Sequence, residues 1–300
     1  MSKQNRREFL KTMTAIGAST GALSTITPQN LKAAPTNIIS EDRMGVLVDT
    51  TVCIGCRKCE WACKGAHDID PGNFEDYNHD EVLKINRRPD FENRTVVNKY
   101  VEEDDKSRTV KLQCMHCDHP ACVSACIVGA ISKLENGSVI WDTDICIGCR
   151  YCMVACPFQI PTFEYHKALD PQIVKCDFCI DRTNDGKLPA CVEICPVEAL
   201  TYGTREELII EAKKRISNNP DKYFNHVYGE YEVGGTSWLY LADKNLAGSV
   251  FPSLGSDTAP GVSESIQHGL FAYFVPPLAV YALLGGIMWL AKDKNASEEK

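Results

Sequence analysis

Apolar positions recur along this chain with two periods, and each period predicts its own element. Met44-Gly45-Val46-Leu47-Val48-Asp49 is a short apolar run between polar flanks, the pattern of a strand. Residues 131–134 and 138–141 are two more short runs, and Asn136-Gly137 between them predicts a hairpin. Residues 199–202 and 238–241 read as further strands. After residue 204 the period lengthens. Leu208, Ile209, Ala212 and Ile216 fall on one helical face, Thr204 and Glu207 have the spacing of a capping box, and Asn219-Pro220 is a stop. The expectation is a helix over 205–217. Residues 66–106 lack either period; with Arg87-Arg88-Pro89 and Glu102-Glu103-Asp104-Asp105 they read as an exposed insert. Residues 243–264 are rich in Gly, Ser and Pro and are expected to run extended over a partner or over the fold surface.

The two ends carry a different pattern. Residues 269–291 contain no charged side chain. At 1.5 Å per residue they reach about 34 Å, enough for a hydrocarbon core of about 30 Å. Pro276-Pro277 would kink such a transmembrane helix, which membranes tolerate. Lys292 and Lys294 follow at once, so the positive-inside rule places the tail 292–300 in the cytoplasm and the rest in the periplasm. At the other end, Arg6-Arg7 followed by Phe9-Leu10-Lys11 and a mildly apolar stretch is similar to a twin-arginine (Tat) export signal over residues 1–34, with a cleavage site near Ala33-Ala34. That route exports folded, cofactor-loaded proteins, and it gives the same orientation.

The cysteines change the picture most. All sixteen fall in four groups of four: Cys53, Cys56, Cys59 and Cys63; Cys114, Cys117, Cys122 and Cys126; Cys146, Cys149, Cys152 and Cys156; Cys176, Cys179, Cys191 and Cys195. The first and third read C-x2-C-x2-C-x3-C, and Pro157 completes the bacterial ferredoxin run in the third. The second reads C-x2-C-x4-C-x3-C and the fourth C-x2-C-x11-C-x3-C-P. Disulfides would suit an exported protein, but cysteines so close in sequence pair poorly. Structural zinc explains C-x2-C pairs and leaves the rest of each group unexplained. Sixteen thiolates match the ligand count of four 4Fe-4S clusters, which makes the chain a candidate for electron transport. Each C-x3-C is expected on a short helix.

The groups also repeat. Asp49-Thr50-Thr51-Val52-Cys53-Ile54-Gly55-Cys56-Arg57 matches Asp142-Thr143-Asp144-Ile145-Cys146-Ile147-Gly148-Cys149-Arg150, and Pro120-Ala121-Cys122-Val123 matches Pro189-Ala190-Cys191-Val192. The order A-B-A′-B′ is that of duplicated ferredoxin units. Ile54, Ile147, Val154 and Ile180 are expected to shield clusters from water. Arg57, Lys58, Lys64 and Arg150 beside the cysteines would raise cluster potentials or bind a partner. His116 and His119 sit inside the second group, but the cysteine set is complete without them. His268 heads the apolar run, as an interfacial residue or one facing a partner's haem or quinone. A net charge of −8 argues against nucleic acid. No nucleotide loop, nucleophile with a base, or molybdenum or nickel signature is present, so the chain reads as non-catalytic.

Across about residues 43–205 these motifs resemble the four-cluster ferredoxin-type iron–sulfur subunits of respiratory oxidoreductases. Gly203-Thr204-Arg205-Glu206-Glu207-Leu208, Gly234-Gly235-Thr236, and Ser265-Ile266-Gln267-His268 leading into Pro277-Leu278-Ala279-Val280 look like the iron–sulfur (beta) subunits of periplasmic uptake NiFe hydrogenases of the hydrogenase 2 type. Formate dehydrogenase beta subunits are similar over the same region. The twin-arginine signal on the chain itself favours the hydrogenase. Ile127 departs from the pattern, which often has proline there.

The resemblance implies an α+β fold of nested ferredoxin-like 4Fe-4S domains with a C-terminal transmembrane helix. The outer domain would span 43–66 plus 170–205 and the inner one 107–165, with 206–264 a partner-contacting tail. The implied ligand sets are Cys53, Cys56, Cys59 and Cys195; Cys63, Cys176, Cys179 and Cys191; Cys114, Cys117, Cys122 and Cys156; and Cys126, Cys146, Cys149 and Cys152. The implied partners are the large and small subunits of a NiFe hydrogenase, a quinone-linked integral membrane subunit and membrane lipid. The alternatives are the beta subunit of a formate dehydrogenase or another molybdopterin oxidoreductase and, from a different class, a structural cysteine-stapled envelope protein.

Overall fold

Strand β1 (Met44–Asp49) is buried on both faces, which is why its apolar run is almost unbroken. In the computed structural model, which describes residues 40–101, 107–169, 171–261, 278 and 281–286, β1 is the middle strand of a three-stranded sheet. The segments read as an export signal (1–34), an acidic run (102–105) and a cytoplasmic tail (292–300) lie outside the described residues. So does most of 269–291, of which only 278 and 281–286 are described, as exposed helix. No helix among the described residues is long and apolar enough to cross a membrane.

The partners of β1 come from far along the chain. Its register runs antiparallel from Met44 opposite Thr204 to Val48 opposite Leu200, and parallel from Val46 opposite Trp238 to Asp49 opposite Leu241. Alternation then sorts the side chains. Leu47, Leu239 and Leu241 face a helix that packs Leu208, Ala212 and Ile216 on them. Val46, Val48, Leu200, Trp238 and Tyr240 face the opposite way, into a core shared with Cys114, Cys176 and Cys191. The helix spans Arg205–Asn218, and Thr204 caps it: its Oγ accepts from Glu207 N at 3.4 Å and donates to the Glu207 carboxylate at 2.7 Å. The expected strands and the 205–217 helix appear with ends shifted by one or two residues at most.

Numbered in chain order, the remaining elements are short. Helix α1 (Lys58–Gly65) follows the first cysteine loop, and β2 (Val96–Val101) pairs with β3 (Ser107–Leu112). Next come α2 (Ala121–Ser124), the hairpin β4 (Ile131–Lys133) and β5 (Val139–Trp141), α3 (Tyr151–Ala155), and the pair β6 (Thr162–Phe163) and β7 (Ile173–Val174). Helices α4 (Ile180–Asn184) and α5 (Ala190–Glu193) precede β8 (Leu200–Thr204), α6 (Arg205–Asn218) and β9 (Trp238–Leu241). Helix α1 packs on α5, and α2 packs on α3, so the first cysteine group meets the fourth and the second meets the third.

Two segments differ from their reading in sequence. Residues 66–106 are only partly an exposed insert, because Val96 and Val97 of β2 are buried and β2–β3 closes over α1. The tie is ionic: buried Glu60 of α1 accepts from Arg87 and from Val97 N at 2.6 Å. A polar composition conceals a hairpin whose buried positions are few. Residues 205–261 supply α6 and β9 around the central sheet, and Leu246 and Phe251 plug the core, where Phe251 stacks on Tyr228 at 4.8 Å. This segment is therefore part of the fold's own interior.

Arg87→Ala would leave the Glu60 carboxylate buried without its cation, at a cost of about 3 kcal/mol. Denaturant unfolding should show that loss, together with faster proteolysis within 66–95. An unchanged midpoint would mean that the insert is not tied down through Glu60.

Candidate iron–sulfur centres

The cysteine loops are built from backbone conformations that few residues adopt. In the A-type groups Gly55 (φ 71°) and Gly148 (φ 65°) are left-handed, and so are Arg57 and Arg150, which open α1 and α3. A Cβ at Gly55 would lie 2.7 Å from Thr109 Cγ2, so only glycine fits there. In the B-type groups the residue before the second cysteine is left-handed, His116 (φ 48°) and Phe178 (φ 66°), and Pro120 and Pro189 open α2 and α5. The repeat seen in sequence is thus a repeat of backbone turns that aim thiols inward.

All sixteen thiols are free. Within each of the four implied ligand sets, here called neighbourhoods, thiols act on one another across sequence groups. Burial raises the Cys53 thiol, and the charges of Cys195 and Cys56 add to it; Cys59 is raised by burial, and Cys53 is again among its neighbours. One cavity is lined by Cys53, Cys56, Cys59 and Cys195. Burial pushes up Cys63 and Cys176, each with thiol neighbours in the second set, and Cys179, beside Cys191, is pushed up to about 12. Cys117 is raised by burial and then by Cys156, Cys114 and Cys122. Cys152 is pushed up to about 11 by burial, then by Cys146, Cys149 and Cys126. Each neighbourhood of four takes at least one thiol from another sequence group. The neighbourhoods also adjoin: Cys191 acts on Cys59, and Cys152 on Cys122.

Thiols raised in this way stay protonated until a metal takes the proton's place. The protein around them is prepared for an anion. Lys111 and Lys175 are buried to 3% and 1% exposure, and among the described residues neither has a carboxylate within ion-pair distance. Lys111 donates to Thr95 Oγ1 and Gln113 Oε1, whereas Lys175 donates to the Val139 and Cys176 carbonyls. An ammonium buried among neutral acceptors costs several kcal/mol unless a negative group lies nearby. Backbone donors point at sulfur from Ala130 to Cys126 (3.2 Å) and from Phe178 to Cys176 (3.4 Å). Fully buried His116 accepts from Val139 N at 2.8 Å through Nδ1, which leaves the proton on Nε2, and Nε2 has no hydrogen-bond partner among the described residues. Burial, then Lys175, holds this imidazole well below its usual pKa and so neutral. Four thiols, buried cations and donors aimed at sulfur fit an anionic thiolate-ligated cluster.

Several expected roles change. Ile54, Ile147 and Val154 are 62%, 61% and 82% exposed, so they do not shield the sites within this chain; Ile180 is half-buried. Ile54 and Ile147 each follow a cysteine on the outer side of its loop, where the inward turn of the thiol directs the neighbour outward, and Val154 lies on the exposed face of α3. Arg57 is buried and clamps the insert through the Asp76 carbonyl and the Tyr77 ring, and Lys58 lies over Phe74. Arg150 is exposed over Phe163 and Tyr165, and Lys64 is half-buried. Sequence reading missed Lys111, Lys175 and the group joining His67, Asp177 and Arg94. There Asp177 accepts from both partners and from Cys179 N; burial alone would raise it, but these bonds hold it below the usual carboxylate range. The only signal in sequence was a lysine interrupting an apolar strand, as in Ile173-Val174-Lys175.

Residues 107–205 match the 4Fe-4S dicluster domain family. A protein of Nitratidesulfovibrio vulgaris is 43% identical over 99% of this chain and 80% of its own length. Hydrogenase-2 operon protein HybA of Escherichia coli is 35% identical over 93% of both chains. The formate dehydrogenase-O iron–sulfur subunit of Escherichia coli is 32% identical over 90% of this chain and 93% of its own. The chain binds 4Fe-4S clusters through its grouped cysteines.

Oxidative stripping of the iron with ferricyanide and EDTA should leave Lys111 and Lys175 without anions and abolish cooperative unfolding. Near-UV circular dichroism checks this, and a stripped protein that kept its native spectrum would contradict the fit.

Proposed function

The chain belongs to the family of ferredoxin-type iron–sulfur subunits that includes HybA and the formate dehydrogenase iron–sulfur subunits, and on that premise we propose that it relays electrons through four 4Fe-4S clusters. The observation that carries this reading is that thiols gather across sequence groups: Cys195 acts on Cys53, Cys63 on Cys176, Cys156 on Cys117 and Cys126 on Cys152. The ligand sets are Cys53, Cys56, Cys59 and Cys195; Cys63, Cys176, Cys179 and Cys191; Cys114, Cys117, Cys122 and Cys156; and Cys126, Cys146, Cys149 and Cys152. The first two sets make the outer ferredoxin unit and the last two the nested inner one, in keeping with α1 on α5 and α2 on α3. When bound, the clusters supply reversible one-electron carriers. The chain's own residues hold the thiols, exclude water from the middle sites and supply buried positive charge. No proton or atom transfer is required of them.

The chain is exported by the twin-arginine route and anchored by residues 269–291, with the cluster domain in the periplasm. Its donor is a NiFe hydrogenase large and small subunit pair, and its acceptor is a quinone-linked membrane subunit. The twin arginines and the tail motifs support this choice over a formate dehydrogenase. The buried carboxylate-free lysines argue against a purely structural, cysteine-stapled role, because disulfides are neutral and would leave them unpaired.

Purified full-length protein should contain about sixteen iron and sixteen sulfide per chain. Zinc in their place would refute the cluster reading. In native membranes, hydrogen should bleach the brown absorbance within the turnover time of the complex, and Arg6→Lys with Arg7→Lys should leave the protein in the cytoplasm. Bleaching by formate and not by hydrogen would assign the chain to a molybdopterin partner instead.

A further inference from the structure

One buried cation lies against two thiol neighbourhoods at once. Lys111 on β3 lines the same cavity as Cys53, Cys56, Cys59 and Cys195. Its ammonium is fixed by Thr95 Oγ1 at 2.7 Å and Gln113 Oε1 at 3.1 Å, and it lies 4.5 Å from the centroid of the Trp238 ring. The bracing continues one step outward. Gln113 Nε2 donates to Tyr240 Oη at 2.6 Å, and Tyr240 Oη donates to the Lys111 carbonyl at 2.9 Å. All these partners are neutral. The position is held firmly, yet among the described residues no carboxylate explains the charge.

The missing negative charge lies on two sides. Trp238, under the ammonium, and Tyr240, which braces it, share one core with Cys176 and Cys191; once ionised, the thiols of Cys191, Cys59, Cys176 and Cys63 outweigh the effect of burial and raise the Lys111 pKa. Cys59 belongs to the first neighbourhood and the other three belong to the second. Cys191 also acts on Cys59 directly, so these two sites adjoin where the lysine stands.

We propose that Lys111 is a shared counter-charge for the first two clusters, a positioning residue that sets their reduction potentials together and so levels the electron's passage between them. This deepens the relay reading and rests on it. Accepting an electron adds one negative charge to a buried site. A fixed positive charge in the interior stabilises that reduced form more than the oxidised one, and the effect falls with distance. The first and second sites should feel Lys111 strongly and the fourth least. Because the ammonium is held by two side chains and a ring, its charge does not depend on solvent reorganising around it.

The test is a dithionite titration of the full-length protein followed by EPR, with iron and sulfide assayed in parallel. Wild type is compared with Lys111→Met, Lys111→Gln and Lys111→Arg. With full iron content, the two neutral variants should make two of the four clusters about tenfold harder to reduce, a fall of about 59 mV for a one-electron couple. The other two should move much less, and the arginine variant should stay near wild type. Iron lost from the neutral variants and kept by the arginine variant would also support the proposal, since charge would then be what the sites need to assemble. Potentials unchanged in loaded neutral variants, an equal shift of all four clusters, or iron lost from all three variants would overturn it. A wild type without iron and sulfide would instead refute the relay reading itself.

Discussion

Negative charge gathered inside a small protein is the constraint around which this chain is arranged. Sixteen thiols crowd four places, and as thiolates they would repel one another across an interior of low dielectric. Burial by itself keeps such thiols protonated, so they take on negative charge only where a metal replaces the proton. The cations reflect this. Among the described residues Lys111 and Lys175 are buried without carboxylates in ion-pair reach, and Asp118 is shared by Arg43, Lys133 and Arg205, which leaves positive charge beside Cys117. Read as an ordinary soluble interior, this is an excess of buried cations. Beside thiolate-ligated clusters it is a balance. The clusters then act as core and staple at once in a domain whose helices run four to eight residues around the cysteines.

The central sheet turns that local arrangement into one fold. Strand β1 enters the first cysteine loop, β8 leaves the fourth, and their antiparallel register fixes the distance between Cys53 and Cys195 loops that are far apart in sequence. Strand β9 then locks β1 from the other side, and α6 covers the sheet face that the cysteines do not use. A one-residue slip of β1 would turn Val46 and Val48 away from the cysteine core and Leu47 into it. The packing of each face thus enforces the register, and the register sets the cluster geometry.

Much of this was legible because it is local. The cysteine spacing, the A-B-A′-B′ repeat, the capping box at Thr204 and the run Trp238–Leu241 each announce a backbone conformation within a few residues. What stayed hidden depends on contacts between distant segments. Val96 and Val97 look like part of a polar insert until Leu112 and Lys111 pair with them. Residues 206–264 look like a tail until β9 slots beside β1. Lys111 looks like a surface charge on an alternating strand, because nothing near it in sequence shows that both faces of β3 are covered. Ile54 and Ile147 failed in the opposite sense. Their apolar character was read as cover for the clusters, when the tight left-handed turns that direct the thiols inward leave these side chains pointing out.

That outward direction bears on the relay itself. The thiols of the second set, Cys63, Cys176, Cys179 and Cys191, are all buried. Those of the first are half-buried, and in the fourth Cys149 is exposed. Electron exchange between proteins falls steeply with distance, so a relay needs thin cover at its ends and thick cover between them. Exposed Ile54 at the first site and exposed Ile145, Ile147 and Val154 at the fourth are apolar surface that an isolated chain gains nothing by showing to water. Covered by a donor at one end and an acceptor at the other, the same residues would exclude water from two sites that the chain alone leaves partly open. The thin cover that weakens the isolated subunit is what a conduit between two partners requires, and the buried second site is where its insulation is complete.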